Sequence, residues 1–330
     1  MKINIISRDN GVGLSKDIHL LNGLLSEHEV SFCDYGSKPD ATKPLADLNI
    51  FVELVHAGYF SRARLNTVIP NPEWYDLRWR QFLPRFNAIL CKTRSAIEAF
   101  KGFNKKCQYI SFTSQDRLSS NYKKDENRYL HVAGKSGQKG TETVYKCWAE
   151  NPDFPHLTVV QNPGKAKPRE VLHNVTMINE HIDDETLKEL QNTCGVHLCP
   201  SETEGFGHYI AEAMSARALV IATDAPPMNE LITAERGILC KWENRSKQKF
   251  AYNHYVSSLS LADAVRESMI LGVSKRDEMR DISRKFYEEN DVFFRNSFKE
   301  AINQLNHEKY RYNTVLETRR LPLSNTRAHR

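Results

Sequence analysis

The stretch PSETEGFGHYIAEAM occupies residues 200–214 and follows a short apolar run at residues 196–199. Gly205 and Gly207 stand where that run would end and a helix would begin. Glycine lets the backbone approach a ligand closely, and the free N–H groups at a helix start bind phosphate or sugar oxygens. The pattern therefore predicts a strand, a ligand-binding turn and a helix.

Two carboxylates accompany this turn. Glu204 lies at its mouth, and Glu212 follows eight positions later, about two helical turns away and near the same face. Carboxylates placed in this way can accept hydrogen bonds from separate hydroxyl pairs of one long ligand. Taken alone, the spacing favours a Glu204 that only caps the helix and a Glu212 that is solvated or salt-bridged.

Strand-like and helix-like segments alternate from this turn toward both ends of the chain. Apolar runs at residues 2–7, 29–33, 48–56, 66–70, 88–92 and 107–112 precede a polar stretch, 119–127, that we interpret as a linker. The pattern restarts with predicted strands at 129–133, 157–161, 175–178, 196–199, 218–223 and 237–240, and residues 257–305 are predicted to be helical. This order predicts two doubly wound α/β units that face each other across a cleft.

Composition and length fit a globular protein of two domains. The 330 residues are 40% hydrophobic and 26% charged, which excludes a mainly disordered chain. No apolar run is long enough for a membrane-spanning helix, and the first eight residues become polar too soon for a signal peptide. Seven scattered cysteines without a C-x-x-C pair favour a reducing cytoplasm over a disulfide framework or a zinc site.

Positive charge is concentrated in two segments. The segment from Arg62 to Lys124 contains 13 Lys or Arg residues and four Asp or Glu residues, which gives a net charge of +9. Residues 306–330 form a basic tail with a net charge of +4. Such segments attract phosphates, nucleic acid or an anionic membrane surface, and a solvated surface without a partner is the alternative. Between Trp74 and Phe86 aromatic and basic residues alternate, which suits lipid headgroups or sugar rings and is also typical of a half-buried helix.

From Pro200 to Met214, and on through residues 215–223 to Glu230, the sequence resembles the retaining nucleotide-sugar glycosyltransferases of the GT-B fold, family 4 type. Their pattern is approximately P-S-x-x-E-G-F-G-x-x-x-x-E-A-M-A, followed by a small residue and an apolar strand. Arg217 stands where these enzymes usually have glycine, a departure at the helix end. The resemblance is strong over residues 129–240 and fainter over 1–116. It implies a GT-B fold with two Rossmann-like domains.

The resemblance also implies roles for the residues of the turn. Glu204 would contact hydroxyls of the donor sugar, and Glu212 would contact the ribose hydroxyls of the nucleotide. Backbone groups at Gly205, Phe206 and Gly207 would hold the sugar and the diphosphate.

Two other glycine-containing turns fit the same interpretation. Lys135 and Lys139 lie around a glycine turn between a predicted strand and a helix, and paired cations there suit a diphosphate leaving group whose charge grows during reaction. The spacing is not that of a Walker loop. In the family the basic pair is one residue farther apart and usually starts with Arg. Gly11 and Gly13 resemble the family glycines that approach the donor phosphate, although a tight turn explains them equally well.

The acceptor side is less well defined by the sequence. The family usually keeps a His after an early strand, and His56 is one candidate for this position. The turn with Asn71 and Glu73 is the other, and the sequence does not decide between them. Ile182 is expected beside the nucleobase, by resemblance.

The implied organisation places an acceptor-side Rossmann-like domain at residues 1–122, completed by a C-terminal helix at about 285–305. Residues 123–284 would form the nucleotide-sugar-binding domain, and residues 306–330 the basic tail. The implied reaction is retaining transfer of a sugar from a nucleoside diphosphate to an acceptor hydroxyl, without a metal or a cofactor. A glycan or lipid-linked glycan is the first choice of acceptor, and a nucleic acid is a minority option. The expected location is the cytoplasm, and the segment from Arg62 to Lys124 is the candidate for peripheral contact with an anionic membrane.

Two alternatives stay open. A glycogen-synthase-type or phosphorylase-like enzyme is disfavoured because the chain is short and shows no pyridoxal-binding lysine context. A catalytically degenerate protein that holds a nucleotide sugar or nucleic acid is motivated by the basic segments. The presence of both carboxylates and both lysines favours chemistry over binding alone.

Overall fold

The computed structural model describes residues 1–11 and 13–318 of the chain, with side chains up to residue 307. Within this part the chain forms two six-stranded parallel sheets and one two-stranded antiparallel hairpin. Helices connect most successive strands of each sheet. The prediction of two Rossmann-like α/β domains is therefore confirmed.

The first sheet has the strand order β2-β1-β3-β4-β5-β6. Its strands are β1 (Lys2–Ser7), β2 (Glu29–Asp34), β3 (Ala46–Val52), β4 (Ala63–Ile69), β5 (Ala88–Cys91) and β6 (Cys107–Tyr109), with helices α1 (Gly13–Leu24) and α2 (Arg94–Phe100). Two 3₁₀ helices, Ala57–Arg62 and Leu77–Arg85, precede β4 and β5. The strand order reverses between β1 and β3, and the carboxyl edge beside such a reversal is where open α/β sheets bind ligands.

The second sheet has the order β12-β11-β10-β7-β8-β9. Its strands are β7 (Asp125–Gly134), β8 (His156–Gln161), β9 (Val175–Ile178), β10 (Cys194–Cys199), β11 (Leu219–Thr223) and β12 (Ile238–Cys240). Its helices are α3 (Thr141–Glu150), α4 (Asp184–Thr193), α5 (His208–Ser215) and α6 (Met228–Leu231). The order reverses between β7 and β10, which pair in parallel. The turns that follow these two strands therefore leave the sheet side by side.

Two segments differ from the sequence-based expectation. Strand β7 begins at Asp125, inside the stretch interpreted as a linker. The charged side chain of Glu126 is accommodated in this strand because it forms ion pairs with Arg276 and Arg280. Residues 242–256 form a hairpin, β13 (Trp242–Gln248) and β14 (Ala251–Val256), for which no element was predicted. Strand β13 is exposed along most of its length, so it lacks the apolar alternation that identifies a strand.

Helix α7 (Ser258–Ile270) is followed by α8 (Val273–Thr318), a single long helix. Met279 of α8 belongs to the apolar core of the second domain, whereas Phe294 and Phe298 pack in a cluster that includes Ile5 and Ile50 of the first sheet. Helix α8 therefore crosses from one domain to the other. The domain boundaries given above stay a prediction. Residues 319–330, which belong to the expected basic tail, lie outside the described part of the chain.

Among the helices of the described residues, none is both long enough and apolar enough to cross a bilayer. All seven cysteines lie in the described part of the chain as free thiols, five of them buried. The described residues contain no group of three or more His, Cys, Asp or Glu side chains arranged to hold a metal ion.

Candidate active site

The turns after β7 and β10 bring Lys139 and Glu204 together. Lys139 Nζ lies 2.5 Å from Glu204 Oε1 and 3.9 Å from the centre of the Tyr209 ring. Ser201 Oγ donates to the same carboxylate oxygen at 2.5 Å. The lysine and glutamate side chains are only 16% and 11% exposed, so water screens this ion pair less than an ordinary surface pair. Two residues predicted from separate motifs thus form one unit.

The first domain reaches this unit through Asn71. A Cβ atom built on Gly205 would lie 2.4 Å from Asn71 Oδ1, so only glycine allows this approach. Asn71 follows β4 and donates through Nδ2 to Glu53 Oε2 at 2.6 Å. Glu53 follows β3, so the carboxyl edge of the first sheet faces the Glu204 turn.

Gly205→Ala is expected to destabilise the protein by about 1–3 kcal/mol, because the new methyl group collides with a buried side chain. Urea unfolding of the variant and the parent measures the difference. Asn71→Ala in the same chain should recover part of the loss, since contacting residues are not additive. Gly137→Ala is the matched control, because a Cβ atom there meets no heavy atom within 4 Å. Equal destabilisation by both alanines would contradict the close approach.

A buried carboxyl group lies on the first-domain side of Glu204. Glu73 is 3% exposed, and its Oε2 accepts no hydrogen bond from any described residue. Asn71 Oδ1 and Thr203 Oγ1 are likewise buried without a partner in that part of the chain. Burial first, and then the neighbouring carboxylates of Glu53 and Glu204, raise the pKa of Glu73 to about 8. Glu73 is therefore mostly neutral at pH 7.

The second carboxylate of the motif, Glu212, is buried on α5. Lys16 of α1 forms an ion pair with its Oε1, and Gln191 Nε2 donates to its Oε2 at 3.0 Å. This is the salt-bridged arrangement that the spacing alone allowed. A carboxylate offers about four lone-pair positions, so Glu212 retains capacity for further donors. Lys16 is half exposed, whereas Glu212 itself is buried.

The turn between β1 and α1 lies next to Lys135. A Cβ atom on Gly11, which has a φ of +66°, would lie 3.5 Å from Lys135 Nζ. Gly13 is the first residue of α1 and has open space around its Cβ position. Lys135 is exposed. Its ammonium group and the N-terminus of α1 both contribute positive potential at this point of the cleft.

His56 is not joined to these groups by any contact among the described residues. Its Nδ1 accepts a hydrogen bond from the Gly58 backbone at 3.2 Å and caps the 3₁₀ helix Ala57–Arg62. Its ring lies 5.9 Å from that of Tyr35 and 5.3 Å from that of Tyr59. The Asn71 and Glu73 turn, by contrast, touches the Glu204 loop.

Three further predicted residues occupy apolar or structural positions. Ile182 packs at the edge of an apolar cluster with Leu130 and Val160 of the second sheet. The Phe206 side chain is buried in the cluster that spans both domains, so only its backbone is available for a ligand. Gly207 precedes α5 with a φ of +105°. The ligand contacts expected for Ile182, Phe206 and Gly207 therefore stay predictions.

A buried polar network near the site was missed by sequence reasoning. Asp17 of α1 lies 2.5 Å from Lys92 Nζ and 2.8 Å from His208 Nε2, and His208 Nδ1 lies 2.7 Å from Ser114 Oγ. Burial raises the pKa of Asp17, but the charges and hydrogen bonds of Lys92 and His208 outweigh it and lower this pKa overall. The available signal was an Asp on the buried face of an amphipathic helix and a Lys directly after a buried strand.

The basic segment between Arg62 and Lys124 does not form one continuous surface. Lys92 and Arg117 are buried, and Arg117 binds Asp184 at 2.9 Å. Arg85 is the last residue of the 3₁₀ helix Leu77–Arg85, and its guanidinium carbon lies 4.5 Å from the centre of the Phe60 ring. The interpretation of residues 74–86 as a half-buried helix with packed arginines agrees with this geometry.

Comparison with known proteins was made for sequence and for structure. A family model described as "Glycosyl transferases group 1" matches residues 96–270, which is more than half of the chain. No curated protein matches the chain. Solved structures do match it, at sequence identities that show the fold alone.

A glycosyltransferase from Rickettsia africae superposes with a TM-score of 0.70 at 12% identity, covering 92% of this chain and 98% of that one. Sucrose-phosphate synthase from Thermosynechococcus elongatus gives a TM-score of 0.67 at 14% identity, covering 93% and 100%. Anabaena HepE, solved with UDP and glucose, gives 0.65 at 15% identity, covering 92% and 100%. The fold is therefore GT-B.

Proposed function

The chain belongs to the glycosyl transferases of group 1, and from this premise we propose that it transfers a sugar from a nucleoside diphosphate to an acceptor hydroxyl with retained anomeric configuration, as family 4 enzymes do. The observation that carries the proposal is the contact of Lys139 with Glu204 at the strand-order reversal of the second sheet. Because HepE was solved with UDP and glucose, UDP-glucose is the first donor to test.

Lys139 and Lys135 would stabilise the diphosphate leaving group. The Lys139 ammonium group has three N–H donors, and its contact with Glu204 leaves others for phosphate oxygens. Lys135 and the start of α1 approach from the side of Gly11. Negative charge grows on the diphosphate as the glycosidic bond breaks, and cations already held in place stabilise that charge.

Glu204 and Glu212 would bind two different parts of the donor. Lys139 and Ser201 hold Glu204 through Oε1, which leaves Oε2 to accept hydrogen bonds from sugar hydroxyls. Glu212 would accept from the ribose hydroxyls, with Lys16 moving aside or sharing the carboxylate. Backbone groups of Gly205, Phe206 and Gly207 would complete the sugar and diphosphate site, as the resemblance implies.

The turn of Asn71 and Glu73 is our choice for the acceptor side, in preference to His56, because it contacts Gly205. Glu73 and Asn71 each offer a buried polar atom without a partner among the described residues. Trp74, the next residue in the chain after Glu73, is 44% exposed, with Lys249 Nζ 5.5 Å from the centre of its ring, and the exposed part of the ring would pack against a sugar. A glycan or lipid-linked glycan is thus the first acceptor to test. Following the resemblance, we propose that the leaving diphosphate takes up the acceptor proton, without a metal or cofactor.

The direct test is to incubate the full chain with UDP-glucose and other nucleotide sugars, with and without glycan and lipid-linked acceptors. Release of the nucleoside diphosphate measures turnover, and NMR of the product reports the anomeric configuration. Donor binding without release would favour the catalytically degenerate binding protein. An inverted product would contradict the family 4 mechanism.

Glu204→Gln is expected to lower kcat/KM for the donor about 10- to 100-fold, because an amide neither pairs with Lys139 nor accepts sugar hydroxyls as strongly as a carboxylate. Steady-state kinetics measure this loss. Glu189→Gln, on the exposed side of α4, is the control and should match the parent. An unchanged kcat/KM in the Glu204 variant would remove this carboxylate from donor recognition.

A further inference from the structure

The hairpin β13–β14 belongs to the second domain but inserts its tip into the first. Phe250, at the tip, packs with three aromatic side chains of the first domain. The ring centres of Tyr75, Phe100 and Phe103 lie 5.7, 5.2 and 5.8 Å from that of Phe250. Tyr75 and Phe100 are fully buried members of a first-domain core cluster. One ring from the second domain thus completes an aromatic core of the first.

The same tip is hydrogen-bonded to the backbone of the turn that carries Asn71 and Glu73. Three successive hairpin residues each donate to one of three successive turn residues. The bonds run from Phe250 N to Pro72 O at 3.1 Å, from Gln248 Nε2 to Glu73 O at 3.0 Å and from Lys249 Nζ to Trp74 O at 2.8 Å. The carbonyl groups of the turn are therefore held by the other domain.

Strand β14 attaches the hairpin to the donor side. His254 N donates to Glu202 O at 2.7 Å, two residues before Glu204 in the chain. Asn253 Oδ1 accepts from Gln138 Nε2 at 3.3 Å, and Gln138 immediately precedes Lys139. The hairpin therefore contacts chain neighbours of Lys139 and Glu204 in the second domain and the Asn71–Glu73 turn in the first domain.

We infer that the β13–β14 hairpin is a positioning element, in which Phe250 anchors the tip and so fixes the Asn71–Glu73 turn against the loop of Glu204. A turn held in one place by aromatic packing and hydrogen bonds presents its polar groups at a constant distance from the donor, as productive geometry requires. The role in transfer rests on the proposed function. The physical claim, that Phe250 orders residues 71–75, does not.

The test compares Phe250→Ala with the parent by backbone amide hydrogen exchange in the full chain. Trp74 N and Tyr75 N both donate to Asn71 O, at 3.0 and 2.9 Å, so their exchange reports the order of the turn. We expect exchange at these two amides to rise at least about tenfold in the variant, with the strands of the second sheet unchanged. Tyr252→Ala, an exposed position on the same hairpin, should leave the turn unaffected.

Kinetics of the same variant separate positioning from general stability. Release of diphosphate from the donor into water should stay within about twofold of the parent, while the KM for the acceptor should rise about tenfold or more. Phe250→Tyr should restore most of the loss. A turn that exchanges no faster, or an equal fall in hydrolysis and transfer, would overturn the inference.

Two further outcomes are distinguishable. If the turn exchanges faster in the Phe250 variant but the parent releases no diphosphate from any nucleotide sugar, the hairpin orders the turn and the proposed function is refuted. If Phe250→Ala does not fold, Phe250→Leu replaces it, because leucine keeps an apolar side chain at the tip and removes the ring contacts with Tyr75, Phe100 and Phe103. It should raise exchange within the turn, and no increase there would contradict the inference.

Discussion

Replacing Lys139 with alanine is expected to reduce turnover of the nucleotide sugar about 100- to 1,000-fold, the usual cost of removing a group that stabilises charge in a transition state. The Lys139 ammonium group lies 2.5 Å from Glu204 in a largely shielded position. In the proposed reaction, the charge that Lys139 would stabilise grows on the leaving diphosphate, so kcat should fall more than the KM for the donor rises. Lys139→Arg should recover only part of the rate, because a planar guanidinium replaces a compact ammonium group.

The measurement is steady-state release of diphosphate, together with thermal unfolding of each variant. Little loss of fold stability is expected, because Ser201 continues to donate to Glu204 after the substitution. Lys146→Ala, on the exposed side of α3, is the control and should retain full activity. A normal rate in the Lys139 variant would exclude this residue from the mechanism.

The contact between Lys139 and Glu204 could be predicted because both residues follow strands of a parallel sheet. Each motif reads locally as a strand, a glycine turn and a helix start, and parallel strands place their carboxyl ends at one edge. The sequence alone did not establish that β7 and β10 are direct neighbours. The resemblance implied only that both residues serve one donor site, and the pairing of β7 with β10 comes from the structure.

Contacts between the domains could not be predicted, because they join segments far apart in sequence. His56 and the Asn71 turn are equivalent candidates until Asn71 is seen against Gly205. Asp17 and Lys92 each look ordinary alone and form a buried pair only in three dimensions. The hairpin has a mostly exposed first strand, and its partners lie about 175 residues away in the other domain.

Arg217 shows how a departure from a family pattern can preserve the backbone. Relatives usually have glycine here, and Arg217 has a φ of +56°, in the left-handed region that glycine adopts most easily. Its Nε donates to Asp281 of α8 at 2.5 Å. The helix α5 therefore ends in the left-handed geometry that glycine adopts most easily, with the conformational cost of arginine offset in part by an ion pair to α8.

The stability of the protein is expected to depend on pH through Glu73. Its pKa is raised from 4.5 to about 8 in the folded state, chiefly by burial. Below about pH 4.5 both folded and unfolded chains keep the proton. Between that pH and about 8 the unfolded chain loses it while the folded chain retains it, so the contribution of Glu73 to stability falls as pH rises. Above about 8 both states have lost it and the penalty is constant.

Glu73→Gln is expected to remove this dependence, because the amide has nearly the same shape as the neutral carboxyl group and carries no charge at any pH. The free energy of unfolding, measured in urea at several pH values between 5 and 9, should favour the variant by a few kcal/mol at the alkaline end. The two proteins should be similar near pH 5.

The comparison between variant and parent isolates Glu73 from other groups that titrate in the same range. Burial also raises the pKa of Glu53, and it lowers the pKa of Lys124 to about 8, so the parent alone would show a mixed slope. These groups are present in both proteins, and their direct effects largely cancel in the difference.

Glu98→Gln, at an exposed position on α2, is the control and should follow the parent throughout. Parallel curves for the Glu73 variant and the parent would show that this carboxyl group is charged at neutral pH. In the proposed reaction, the acceptor hydroxyl would then meet a Glu73 carboxylate that only accepts hydrogen bonds, instead of a neutral carboxyl group that both donates and accepts.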